Sequence, residues 1–450
     1  MIDAWKRTYL PMFLLLCLIF GGASNGGFFE NAILQVVAVA MACTVLAISP
    51  ASGGPHTDWA FPWLVLGVIF VVALQFLPLP LSLWKLLPGR GEIAAELGLI
   101  SVIPEWTFVT LSIHDSLASL AWFLPAISMA AVLYVRREVE IWALAIVIVA
   151  TAFFAIGLGL VQFLSGPESA AYFYRFTNRG LMVGFFSNAN HMATFLLVAL
   201  PFLAAVIRHS ILERPRQRRE LMLLGAVAGG FIFLGVVLVG SLTGYALAIP
   251  VLALSCGILI PYRKKLVVIG ALPLLLFGLG LVALTDEGAN VFSEESAGAE
   301  RGRQQIFSTT IEAASDFFPV GSGLGTFRDV YDNYEDLDAV ANVYVNHAHS
   351  DYLEILLEFG LLGVVAIVAF LVWWASRIRV VMTVGTEVPF LYASAIASGT
   401  ILAHSIWDYP LRTTALSTTF ALCCLMLARA GRGAPRDPRG AQEARPDARH

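Results

Sequence analysis

Long apolar runs alternate with short polar breaks along almost the whole chain. Twelve segments approach the roughly 20 mostly apolar residues that a membrane-crossing helix needs. They lie near 8–23, 31–49, 60–77, 115–134, 141–163, 190–207, 221–239, 241–260, 266–284, 352–375, 388–406 and 413–430. Breaks fall at Pro50, Pro78, Pro80, Pro215, Pro261 and Pro389, where a helix is punctuated. The pattern predicts an all-α, polytopic membrane protein of about twelve transmembrane helices. The first run is short and glycine-ended, which leaves eleven as the alternative count. The start, Met1 to Arg7 followed by an apolar run from Tyr9, resembles a signal peptide. No cleavage site follows and more spans come directly after it, so the run is read as a helix that stays.

Composition agrees. The chain is 58% hydrophobic and 13% charged, against roughly 25% charged in soluble proteins. Too few polar side chains are left to coat a water-facing surface. The net charge of -4 gives no basic footprint for nucleic acid. All five cysteines (Cys17, Cys43, Cys256, Cys423, Cys424) lie inside apolar runs, with neither disulfide nor zinc spacing.

Charge also orients the chain. An even span count puts both termini on one side, and the segments of that side hold 20 of the 28 Lys and Arg residues. Cytoplasmic loops carry the positive excess, so both termini are expected in the cytoplasm. Residues 1–430 then form a single transmembrane domain, and the Arg-, Pro- and Ala-rich tail, 431–450, is expected to be disordered and cytoplasmic. Three outward stretches exceed turn length: 78–114, 164–189 and 285–350. The last, between spans 9 and 10, holds 12 of the 32 acidic residues and only three basic ones.

Within this loop, Ile306, Phe307, Thr310, Ile311 and Ala314 recur at helical spacing, predicting an amphipathic helix over 303–318 that lies on the membrane surface and ends at Pro319. Gly321-Ser322-Gly323-Leu324-Gly325 follows. No strand precedes it, so a tight turn between two helices is favoured over a phosphate cradle. A second short helix is expected from Thr326 to Leu337. The loop ends in Asn346-His347-Ala348-His349-Ser350-Asp351-Tyr352-Leu353-Glu354 and runs into an apolar span. Asp351 and Glu354 have capping-box spacing, so part of the motif is a helix start. The two histidines have no packing reason to be there. His349 precedes a helix N-terminus, whose positive dipole lowers a histidine pKa and attracts anions. That suits a neutral base beside a phosphate-bearing substrate. A metal held by His347, His349 and Asp351 is the rival reading, with no further ligand evident. Elsewhere Asn188, Asn190 and His191 open the sixth span, where buried polar groups must be paired or face a cavity. His404, Asp408 and Arg412 bracket the last outward turn. These groups gather at one face, which favours a site at the outer interface over a midplane channel.

The residues resemble the O-antigen ligase and O-antigen polymerase family of bacterial inner-membrane glycosyltransferases, from about residue 60 to 428. Leu74-Gln75-Phe76-Leu77-Pro78-Leu79-Pro80 is similar to the family's third-span exit. Gly184-Phe185-Phe186-Ser187-Asn188-Ala189-Asn190-His191 is similar to its Gly-x-Phe-x-Asn-x-Asn-His box. Arg303-x-x-x-Phe307 and Pro319 to Phe327 resemble its Arg-x-x-x-Trp and Pro-x-x-Gly-x-Gly-x-x-x-Phe stretch. His347 to Glu354, with Glu358, Gly360 and Gly363, resembles its His-x-His-Asn-Asp-Tyr-Leu-Glu signature.

The resemblance implies a C-type glycosyltransferase-like fold with loop 285–350 in the periplasm of a bacterial inner-membrane protein. It implies transfer of a glycan from undecaprenyl diphosphate to an acceptor sugar hydroxyl. The acceptor is lipid A-core in a ligase, or another lipid-linked glycan in a polymerase. Neither metal nor other cofactor is implied. His349 is the expected base, with His347 and Asp351 orienting it or sharing its role. Arginine binds phosphate bidentately, so Arg303 is expected on the diphosphate, with Arg175 and Arg179 as lesser candidates. Leu242 stands where many members carry arginine. The second cation then comes from Arg179, Arg328 or Arg412, or is absent. A transporter or flippase of the same lipid-linked glycan is the competing class. It should show paired broken helices at the midplane.

Overall fold

The computed structural model describes residues 2–24, 29–48, 57–99, 104–136, 139–260, 294–336, 345–384 and 388–431. They form a mostly helical protein with one two-stranded ribbon. The first half comprises α1 (Ile2–Phe20), α2 (Phe29–Ile48), α3 (Ala60–Gln75), β1 (Pro78–Pro80), α4 (Leu81–Trp84), α5 (Gly91–Leu99), β2 (Trp106–Phe108), α6 (Ile113–Trp122), α7 (Leu124–Val135) and α8 (Ile141–Ser165). The second comprises α9 (Ala189–Glu213), α10 (Arg218–Val239), α11 (Leu242–Leu259), α12 (Glu294–Phe317), α13 (Phe327–Tyr334), α14 (Asp351–Val384), α15 (Pro389–His404) and α16 (Thr414–Arg429).

Among the described residues, five helices are long and apolar enough to cross a membrane: Ile141–Ser165, Ala189–Glu213, Pro215–Val239, Leu242–Leu259 and Asp351–Thr383. The pair α6 and α7, bent by 48°, makes a sixth if it acts as one span. The all-α membrane class is therefore met, and the expected count of about twelve only in part. Four further apolar helices, at Thr8–Phe20, Phe29–Val45, Ala60–Gln75 and Thr414–Arg429, are shorter. The segment expected to span near 388–406 is α15, which buries Ser394, Ser398, Thr400 and His404 against its neighbours. The expected span at 266–284, loop segments 285–293 and 337–344 and the tail from 432 lie outside the described residues.

Helix α9 sits at the centre. It is apolar on every side, so it has no face to give to solvent. It packs against α8, α10, α11 and α15, and every residue from His191 to Ile207 is buried. Gly244 lets the start of α11 approach Ala193, because a Cβ there would collide with that side chain.

A second, smaller core joins α12, α13 and the first turns of α14 through Ala313, Phe317, Phe327, Tyr331, Ala348 and Leu357. Against it lies the outward stretch 78–114. Its described residues, 78–99 and 104–114, carry β1 antiparallel to β2, with Pro78 opposite Phe108. The buried Arg90 ties this stretch down. Its guanidinium donates to the carbonyls of Pro88, Val109 and Gly321, and lies between the rings of Trp84 and Phe317. The expected helices at 303–318 and 326–337 are present as α12, which begins nine residues earlier, and α13.

Helix α14 is broken at Gly360, whose φ of 54° and ψ of -134° are non-helical. The Leu361 N–H leaves its helix and donates to Pro319 O at 2.9 Å. A Cβ on Gly360 would run into that same carbonyl, so only glycine fits. The break separates Asp351–Phe359, which carries three acids, from the apolar remainder.

Candidate functional site

Every glycine amide of the run after Pro319 is taken by a protein acceptor. Gly321 N–H donates to Phe317 O, Ser322 N–H to Leu357 O, Gly323 N–H to Glu358 O and Gly325 N–H to Glu358 Oε1. It is the tight turn expected, and it docks α12 and α13 onto the start of α14.

That start is capped one residue earlier than its sequence suggests. Ser350 supplies the cap: its hydroxyl accepts from Leu353 N–H and its carbonyl from Glu354 N–H. Asp351 and Glu354 do not form a capping box. Asp351 Oδ2 accepts from the Ser405 hydroxyl at 2.7 Å and from Leu411 N–H at 3.3 Å, which ties α14 to the 405–413 turn. Glu354 Oε2 accepts from Ala348 N–H, and its Oε1 lies 2.9 Å from His347 Nδ1.

Arg412, on a short 3-10 turn, closes the network. Its guanidinium lies 3.2 Å from Glu358, 3.3 Å from Glu354 and 3.7 Å from Asp351. Burial works against its charge, but the three carboxylates outweigh burial and raise its pKa. Buried charges persist only when paired in this way. Arg412 is thus committed to protein carboxylates and is no spare cation for a phosphate.

The two histidines of the motif have different environments. His347 Nε2 lies 2.9 Å from Ser24 O, so both ring nitrogens face pure acceptors, a carbonyl and the Glu354 carboxylate. Both must carry protons, which makes His347 an imidazolium. Burial opposes this, but the Glu354 charge and hydrogen bond raise its pKa overall. His349 has φ of 49°, in the left-handed region that non-glycine residues rarely enter. The turn carries its ring away from Glu354 to the opposite side, where Nδ1 lies 3.8 Å from Asp408 Oδ1. Burial lowers the His349 pKa most. Asp408 works against that, while Arg303, His347 and His191 add to the lowering. The direction is the one expected, with burial as its largest cause. His349 is 23% exposed, against 0% for His191.

Asp408 and Tyr409 organise this side. Asp408 Oδ1 accepts from Tyr409 N–H at 2.8 Å and lies 3.6 Å from His191 Nε2. Burial raises the Asp408 pKa, but the hydrogen bond and charge of His191, with His349 and His404, bring it well below the carboxylate range. The Tyr409 ring meets His347, His191 and His349 at centroid distances of 4.6, 4.9 and 5.0 Å.

The Asn box divides its labour. Asn188 caps α9, accepting from Asn190 N–H at 2.8 Å. Asn190 accepts from Ser241 Oγ at 2.7 Å, joining α9 to the N-cap of α11. His191 faces Asp408. Leu242 is the first residue of α11, as its motif position requires. Arg175 and Arg179 are exposed on the loop before the box. Arg175 lies over Phe176, and Arg179 donates to Pro167 O and lies over Tyr172. Arg303 is on α12, near enough for its charge to act on His349 and His404. His347, His349 and Asp351 do not converge on one point. Among the described residues no three His, Cys, Asp or Glu side chains are set to hold a metal.

Tyr409 is the site residue that the motifs leave out; Asp408 and Arg412 are expected only at the outer face, Arg412 as a candidate second cation, and Glu354 and Glu358 only as part of the signature. One signal was available. Acids at 351, 354 and 358 share one helix face, and such a stripe entering an apolar span demands a buried cation.

These elements define a helical membrane protein with a charged site built from a two-histidine motif and the turn before its last helix. Residues 227–368 match the family model described as O-antigen ligase, which bears out the resemblance carried by the motifs. The match includes Arg303, the glycine turn and the two-histidine motif, and stops before Asp408 and Arg412. No curated protein matches the chain.

Proposed function

We propose that the protein is a ligase-type glycosyltransferase that moves a glycan from undecaprenyl diphosphate to a sugar hydroxyl of lipid A-core. The observation that carries this reading is His349, a partly exposed imidazole of lowered pKa beside Asp408 and within reach of the charge of Arg303. Nδ1 is its buried nitrogen, so Nε2 is the one that meets substrate. A proton on Nδ1, pointed at Asp408, leaves Nε2 as the base. Such catalytic contacts are often long before substrate binds.

The reaction balances without a cofactor. Nε2 takes the acceptor hydroxyl proton, and the acceptor oxygen forms the new bond to the anomeric carbon. The bond from that carbon to the diphosphate oxygen breaks, and its electron pair leaves with the lipid diphosphate. Arg303 neutralises the charge that develops there, and Asp408 stabilises the imidazolium. His347 and Asp351 hold the motif in place in this reading rather than take part in bond making. Arg175 and Arg179, exposed on loop 166–188, meet the diphosphate or its glycan on approach.

The charge asymmetry of the sequence supports cytoplasmic termini and a periplasmic site in a single domain over residues 1–430 of an inner-membrane protein. A strain carrying His349→Ala should make the protein at normal level yet lack glycan on its lipopolysaccharide, and Arg303→Ala should reduce that glycan severely. A normal lipopolysaccharide gel from the His349→Ala strain would refute the mechanism. Core bearing a single repeat would assign a polymerase instead.

A further inference from the structure

Three groups converge on a single oxygen of Asp408. Oδ1 accepts from Tyr409 N–H at 2.8 Å and lies 3.6 Å from His191 Nε2 and 3.8 Å from His349 Nδ1. The Tyr409 ring stands edge-on to both imidazoles, at interplanar angles of 83° and 73°. His191 sits on the first turn of α9 and is completely buried. Its Nδ1 has no hydrogen-bond partner among the described residues, which leaves Asp408 as what its ring faces. We infer that His191 is a positioning residue of the transfer reaction: it shares Asp408 Oδ1 with His349 and so sets how strongly that carboxylate stabilises the His349 imidazolium. The inference rests on the glycan-transfer reading above.

Packing alone does not explain a histidine here. An apolar side chain would fill this place in the central helix without stranding a nitrogen. Buried polar groups are nearly always hydrogen-bonded, and an exception calls for a functional reason. Sharing one oxygen supplies that reason. A proton on His191 Nε2, directed at Oδ1, takes up part of the carboxylate charge. Less is left for His349, whose imidazolium is then held less firmly, so the free base persists to lower pH. Arg303 from α12 and His347 from the motif also bear on His349, and His404 from α15 bears on Asp408. Among these groups His191 is the one that meets the same oxygen as His349. It is also firmly placed. Asn188 caps α9 just before it, and α9 is packed on all sides, whereas His349 stands on left-handed backbone outside any helix.

The pH–rate profile tests this. Purified protein is assayed with undecaprenyl-diphosphate-linked glycan as donor. The acceptor is rough lipopolysaccharide or a second lipid-linked glycan, whichever the wild type uses. His191→Phe keeps a ring and removes both nitrogens. Its rising limb should move to higher pH by about half a unit, which is an about threefold lower rate at any pH below the limb. Loss of the Asp408 charge moves the limb the other way, and in an Asp408→Asn background His191→Phe should shift it no further. His191→Gln, whose amide can donate to Oδ1, should return the limb towards wild type. His191→Leu should give the same shift as His191→Phe and serves if the larger ring does not fold. A purely structural loss would lower the rate at every pH and leave the limb in place. A limb unmoved in the folded Phe or Leu variant, or moved to lower pH, would overturn the inference, as would a rise in donor or acceptor KM with the limb unmoved. Failure of the wild type to transfer to either acceptor, or full activity in His349→Ala, would instead sink the glycan-transfer reading itself.

Discussion

Replacing Arg412 by Met takes one guanidinium away from three buried carboxylates. Glu354 keeps His347 as a partner, and Asp351 keeps the Ser405 hydroxyl and the Leu411 N–H. Glu358 keeps the Gly325 N–H but, among the described residues, no second charge partner of its own, so the loss falls hardest there. Breaking a buried pair in this way costs about 3–5 kcal/mol, a large part of the roughly 5–15 kcal/mol that holds a domain together. At about 2–4 °C per kcal/mol for a large domain, the apparent Tm should drop by at least about 6 °C. Tryptophan fluorescence during heating in detergent, at one scan rate for every variant, measures it. A second variant separates charge from packing. Arg412→Met with Glu358→Gln leaves no unpaired charge at Glu358, so it should recover part of the loss. A Tm for Arg412→Met within about 2 °C of wild type, or a double variant less stable than the single one, would refute the reasoning.

Asp408→Asn should move the pH–rate profile. His349 works deprotonated as a base, so the rate rises with pH through its pKa, which lies below the ordinary 6.5. The Asp408 charge raises that pKa, so its loss should shift the rising limb to lower pH and slow the plateau; a shift to higher pH would count against the pairing. Gly360→Ala forces a Cβ into Pro319 O at a φ of 54°. Strained backbone of this kind costs about 1–3 kcal/mol, and the apparent Tm in detergent should fall accordingly, whereas an unchanged Tm would show that the break is not required.

The spans are legible because lipid forces backbone groups to pair within a helix and side chains to be apolar. The break between α6 and α7 is harder to see, since Trp122, Phe123 and Leu124 are all apolar. Pro125, sitting in the first turn of α7, is its signal. The motifs point to His349 and Arg303 because their chemistry has no packing explanation. Separating the roles of His347 and His349 requires the backbone, since a left-handed residue at 349 sends the two rings to different partners. The Arg412 network joins residues more than fifty positions apart, and sequence spacing alone indicates only that its acids share a face. The docking of the residues around Arg90 rests on its reach to Gly321, a contact across 231 positions that no local pattern encodes.

The central claim is that His349 is the base that activates the acceptor hydroxyl. Its most direct test is the rate of glycan transfer by purified wild type and His349→Ala, both saturated with undecaprenyl-diphosphate-linked donor. General-base catalysis is worth about 10²–10⁴-fold, so the variant should lose at least about a hundredfold in rate at an unchanged apparent Tm. A variant that keeps its stability and transfers within about tenfold of wild type would contradict the claim.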